Sequence, residues 1–103
     1  MIAIEIPKEQ LRDFCRKWKV TEFALFGSAA HAENFRPESD IDVLVSFAAD
    51  AQWSLFDHVH MQDELCRIFG RPVDLLTRRA VETSRNRFRR RSILDSVIAL
   101  DVA

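Results

Sequence analysis

Glycine is scarce in this chain, with only Gly27 and Gly70 among 103 residues, and no Gly/Ser-rich linker, low-complexity run or internal repeat interrupts it. That excludes a string of modules joined by flexible connectors and leaves a single domain over residues 1–103. Cysteine is nearly absent too. Cys15 and Cys66 have no CxxC spacing and no histidine pair at metal spacing, which excludes a disulfide framework and a zinc site and reads each as a small buried hydrophobe. No segment approaches the roughly 18 consecutive apolar residues of a membrane span. The opening MIAIEIPKEQ lacks a basic flank, an apolar core and a small-residue cleavage site, so no secretory signal is read and a cytoplasmic setting is expected.

What the chain does have is globular composition, 48% apolar and 30% charged, at a length that buries somewhat over ~60% of the surface of its unfolded form. A net charge of −1 conceals a division. Residues 71–91 hold eight arginines against Asp74 and Glu82, a local +6, whereas the rest of the chain is −7. The protein is acidic with one basic segment.

Apolar residues Leu11, Phe14, Cys15 and Trp18 recur at helical spacing from Pro7 to Trp18, and Pro7 suits a first helical turn. TEFALF, residues 21–26, reads as a strand stopped at Gly27, and IDVLVSF, residues 41–47, as a largely buried strand entered through RPESD. From Trp53 to Phe69, Leu55, Phe56, Val59, Leu65, Cys66 and Phe69 fit one helical face, with Gly70 as the stop and Pro72 beyond. VDLLT, residues 73–77, is a third strand; the arginine-rich remainder reads as one or two helices, with a final VIAL open to a short strand. This order predicts an α/β (α+β) domain, a small mixed sheet of three or four strands flanked by helices.

The chemistry concentrates at one end of these strands. Residues two apart in a strand share a face, so Asp40 and Asp42 project side by side with Ile41 turned away. Two carboxylates so close repel unless a cation compensates, and Mg²⁺, which suits hard oxygens and borrows ligands from a substrate phosphate, is the natural partner. Asp74, between Val73 and Leu75, adds a third acid at the mouth of another strand. Three carboxylates there match a two-metal site. Gly27-Ser28 ends the preceding strand, where exposed N–H groups, a close backbone approach and the Ser28 hydroxyl could receive phosphate. Gly-Ser is by itself a common turn and a single DxD a common solvated edge. Their order, with eleven residues between Ser28 and Asp40 and a later Asp in an apolar strand, is far more specific than either. It suggests a nucleoside triphosphate with Mg²⁺.

Gly27-Ser28 followed by Ser39-Asp40-Ile41-Asp42-Val43 and VDLL resembles the signature of the polymerase-β-type nucleotidyltransferases, and the small size resembles their minimal members, the MNT proteins. The resemblance runs from about Leu11 to Leu100. It implies a polymerase-β-like fold, Mg²⁺ (two ions) held by Asp40, Asp42 and Asp74, triphosphate binding at Gly27 and Ser28, and transfer of AMP from ATP, with Asp74 helping to activate the acceptor hydroxyl. Many stand-alone members are antitoxins beside a HEPN toxin, and some add AMP to a tyrosine of it; the implied partner is such a toxin, in a hetero-oligomer. Where the family commonly reads G-S-x-A-R-G, this chain has His31 for the Arg and Ala32 for the Gly, losing a fixed positive charge near the phosphates. That departure keeps open an antitoxin that neutralises by binding alone; a small-molecule transferase of the aminoglycoside type is a third expectation.

The remaining candidates have plainer readings. His58 and His60, two apart on a helix, face different sides and make no ligand pair. Trp18 and Trp53 read as core or helix-flanking residues. RNRFRRR, residues 85–91, interleaves only Phe88 with its arginines, so direct nucleic-acid binding is not expected; a solvated face, a partner protein or steering of the triphosphate account for it better.

Overall fold

The structure, a computed structural model, describes residues 6–27 and 40–103. In chain order the elements are α1 (Lys8–Trp18), β1 (Val20–Phe26), β2 (Ile41–Phe47), α2 (Leu55–Phe69), β3 (Val73–Thr77), α3 (Arg78–Glu82), α4 (Arg87–Ser96) and β4 (Ile98–Leu100). They form one four-stranded mixed sheet in the order β3-β2-β1-β4. β1 is antiparallel to both β2 and β4, and β2 is parallel to β3 through the α2 crossover. The mixed sheet with flanking helices anticipated from the sequence is the one observed, and the terminal VIAL contributes the short strand.

The helices start and stop where local chemistry dictates. Ser54 and Asp57 form a capping box, each side chain bonding the other's backbone N–H, so α2 begins two residues after Trp53. Gly70, at φ +71°, takes the left-handed conformation that ends it. Asn86 caps α4 by accepting from the Arg89 N–H at 3.0 Å.

Period-2 alternation divides the sheet into two faces. Phe23, Leu25, Ile41, Val43, Val45, Val73 and Leu75 join Leu11, Phe14, Cys15 and Trp18 of α1 and Met61 and Leu65 of α2 in the larger core. Ala24, Phe26 and Leu44 join Val81 of α3 and Ile93 of α4 in a smaller one. Trp18 and Trp53 meet edge-to-face at 5.2 Å, and both indole N–H groups are satisfied, by Glu64 and by the Trp18 carbonyl. The apolar face expected of α2 is corrected at its first half. Leu55 and Phe56 are each 80% exposed and Val59 is 50% exposed, whereas Met61 and Leu65 are buried. His58, in the same half of the helix, reaches the Leu75 carbonyl of β3, so α2 turns a different set of residues to the sheet there and apolar spacing does not mean burial.

One role was not legible in the spacing. The outward-facing backbone of Leu75, on edge strand β3, is bonded by two α2 side chains: the Gln62 carbonyl oxygen accepts its N–H at 3.1 Å and His58 Nε2 lies 3.0 Å from its C=O. His58 is half-buried, and with its i,i+4 neighbour Gln62 it fastens the sheet edge.

Two substitutions separate core from cap. Leu65→Ala, at a fully buried position, should cost about 2–5 kcal/mol in urea denaturation, and Ser54→Ala about 1 kcal/mol.

Candidate active site

The C-terminal end of β1 and the N-terminal ends of β2 and β3 converge on one rim of the sheet. Because β2 and β3 run parallel in register, Asp42 and Asp74 are direct Cα partners, on the face that carries Leu44 and Leu76. On the other side of β2, Asp42 is the partner of Phe26, which places Gly27 next to its carboxylate. Gly27 has φ +64°, and a Cβ built on it would lie 2.5 Å from Asp42 Oδ2. Glycine is required there twice over, for the backbone conformation and for the space that the carboxylate fills.

Among the described residues no lysine or arginine pairs with Asp40, Asp42 or Asp74. Burial, and then the charges of Asp74 and Asp40, push the Asp42 carboxyl up to about 6. At the opposite end of the same face a carboxylate is handled differently. Glu22 receives Arg78 at 2.6 and 3.0 Å and the Ser46 hydroxyl at 2.9 Å, and the Arg78 hydrogen bond holds it below its ordinary range. One face therefore carries an acid paired with arginine at one end and, at the other, a group of acids with no such pair among the described residues.

Such a group suits a hard divalent cation, with Asp42 and Asp74 opposed and Asp40 immediately before β2. The carboxylates are not drawn into a closed ligand set: among the described residues no three His, Cys, Asp or Glu side chains are gathered tightly enough to hold a metal as they stand. Asp40 and Asp74 are exposed, so the apolar neighbours of Asp74 in sequence do not bury it. The donor chemistry and the excess negative charge fit Mg²⁺, and the ion and its phosphate would complete the shell.

The phosphate cradle expected at Gly27-Ser28 divides. The Gly27 N–H points to the Ser96 hydroxyl at 3.4 Å, a long contact, and that hydroxyl donates to the Ile93 carbonyl at 3.0 Å. Ser96 thus ties the C-terminal end of α4 to the rim. No spacing rule would have found it, since the contact crosses 69 residues. Ser28, His31, Ala32 and Ser39 lie outside the described residues. Of the other candidates, Cys15 is buried in the larger core, where burial pushes its thiol up to about 11, and His60 is exposed.

Asp42 carries a signed pH prediction. Its folded pKa of about 6 exceeds the ordinary value near 4, so without a cation the folded state binds the proton more tightly. Its contribution to stability is present at low pH and lost as pH rises through 6. Asp42→Asn should therefore become more stable than the wild type across pH 4 to 6, the gap levelling off above that, in metal-free denaturation curves.

A family model described as a nucleotidyltransferase domain matches residues 7–100. A proposed protein adenylyltransferase of Methanocaldococcus jannaschii is 35% identical over 94 residues, 91% of this chain and 90% of that protein. Among solved structures, a proposed minimal nucleotidyltransferase superposes with a TM-score of 0.68 at 29% identity, covering 90% of this chain and 88% of its own. A toxin–antitoxin structure with AMP-PNP superposes at 0.67 and 20% identity, covering 91% and 72%, and at that identity speaks for the fold alone. The sheet, the rim of acids and these matches agree: the chain belongs to the nucleotidyltransferase domain family and is a minimal nucleotidyltransferase within it.

Proposed function

We propose that this protein transfers AMP from ATP to a hydroxyl of a partner protein, as the antitoxin of a toxin–antitoxin pair whose toxin is of the HEPN type and whose acceptor is a tyrosine. The observation that carries the chemistry is the opposition of Asp42 and Asp74 across the parallel β2–β3 pair, beside Gly27. The partner rests on likeness: a similar protein bears the name of a protein adenylyltransferase, and a similar fold occurs in a toxin–antitoxin structure. That likeness favours an acceptor presented by another protein in a hetero-oligomer.

Asp40 and Asp42 would hold Mg²⁺, two ions in the fullest arrangement, with Asp74 completing the set. Bound Mg²⁺ supplies Lewis-acid polarisation of the phosphoryl oxygens and offsets charge on the departing pyrophosphate. Gly27 and Ser28 would orient the triphosphate. The acceptor oxygen forms a bond to the α-phosphorus, the bond from that phosphorus to the bridging oxygen breaks, and pyrophosphate leaves. The hydroxyl proton passes to Asp74, exposed and within reach of an incoming group.

A second reading, neutralisation by binding alone, draws on His31 and Ala32 standing where the family resemblance calls for Arg and Gly. Intact mass of a co-incubated HEPN toxin candidate, with Mg²⁺ and ATP, separates the two. Whole-AMP additions whose rate falls at least ~10²-fold in Asp42→Asn are the expected result. An unmodified toxin that both wild-type and Asp42→Asn chains still silence would overturn it in favour of binding.

A further inference from the structure

The exposed half of α2 and a cleft on the opposite face of the sheet complement one another. Leu55 and Phe56 both neighbour Val59 on the helix surface, at i+4 and i+3, and the three are 80%, 80% and 50% exposed. Apolar residues scattered singly on a surface need no explanation, whereas a contiguous set is the kind of surface that another molecule covers. Its border is acidic. Asp63, seven residues beyond Phe56, continues the same helical face, and α2 carries Asp57, Asp63 and Glu64 against Arg67 alone. Between α3 and α4 lies a cleft of about 120 Å³, lined by Leu76, Ala80, Val81 and Ile93 and bordered by Arg89 and Arg90. An apolar cavity of ~150 Å³ holds a benzene, so this one, open at its mouth, has room for one phenyl ring. Neither Arg89 nor Arg90 pairs with a carboxylate among the described residues.

We propose that this protein associates with itself head to tail, the Phe56 ring of one copy entering the α3–α4 cleft of the next, with the acids of α2 set against the arginines beside the cleft. The two halves of the contact pack on opposite faces of the sheet, so a chain cannot fill its own cleft. The contact is heterologous, and every copy carries both parts of it. Charge selects this occupant over the symmetric alternatives. Pairing α2 with α2 sets Asp57, Asp63 and Glu64 against their own kind, and pairing α4 with α4 opposes Arg87, Arg89, Arg90 and Arg91 with only Asp95 to relieve them. Pairing α2 with α4 joins opposite signs around an apolar centre. The association needs neither nucleotide nor metal. It gives the arginine-rich segment and the solvent-facing half of α2 one common task.

The test is sedimentation of the whole chain over a concentration series with no ligand added. The mean mass of the wild type is expected to rise from the monomer to at least about twice that value, and to fall back as salt is raised. Phe56→Glu removes the inserted ring and Ala80→Glu obstructs the cleft, both at exposed positions. Each variant is expected to stay monomeric alone. An equimolar mixture of the two is expected to give a dimer and nothing larger, because it retains one intact ring and one intact cleft, a result that also shows both variants to be folded. Phe88→Ser, at a position 89% exposed but outside the cleft lining, is expected to associate as the wild type does. A wild type that is monomeric throughout would overturn the proposal; if its Phe56→Glu variant then also loses binding to a HEPN toxin candidate, the patch belongs to that partner. A wild type that associates while the mixture stays monomeric would overturn it equally, in favour of a symmetric contact.

Discussion

The site depends on the parallel pairing of β2 with β3. That register sets Asp42 opposite Asp74, and the ladder of backbone hydrogen bonds, with the larger core beneath it, holds two like charges at adjacent strand positions. Repulsion at the rim opposes folding, and the apolar contacts of Val43, Val45, Val73 and Leu75 in the larger core favour it. The result is a concentration of negative charge at one rim of the sheet, which raises the Asp42 carboxyl above its ordinary range.

The two faces of the sheet divide the labour. The face toward α1 and α2 holds the larger core and both tryptophans, while the face toward α3 and α4 holds a few apolar contacts, the acid rim and the Glu22–Arg78 pair. Polar side chains can sit on this second face because the smaller helices cover it incompletely. The same incomplete cover leaves the cleft beside Leu76.

Much of this was legible in the sequence, for definable reasons. β2 and β3 stood out because β-branched or leucine-rich runs opened on an aspartate, and Gly27 because glycine is so rare in the chain. The capping pair Ser54–Asp57 and the stop at Gly70 follow local rules that operate within a few residues. What spacing could not give was anything set by tertiary approach. Leu55, Phe56 and Val59 keep helical periodicity yet face solvent, because burial depends on which residues of α2 the sheet meets. Ser96 and His58 acquire their partners only when distant segments meet. The exposure of Asp74 was hidden behind apolar neighbours that point to the other face.

The fastening of Leu75 by His58 and Gln62 has a bearing on how this protein can assemble. A strand at the margin of a sheet ordinarily offers its free backbone groups as a template for another strand. Here the α2 side chains occupy that template at Leu75, the middle residue of β3, and the opposite margin, β4, is only three residues long. Among the described residues neither margin offers a long open ladder. At Leu75 a strand added to this edge would have to displace His58 and Gln62 before it could share backbone hydrogen bonds.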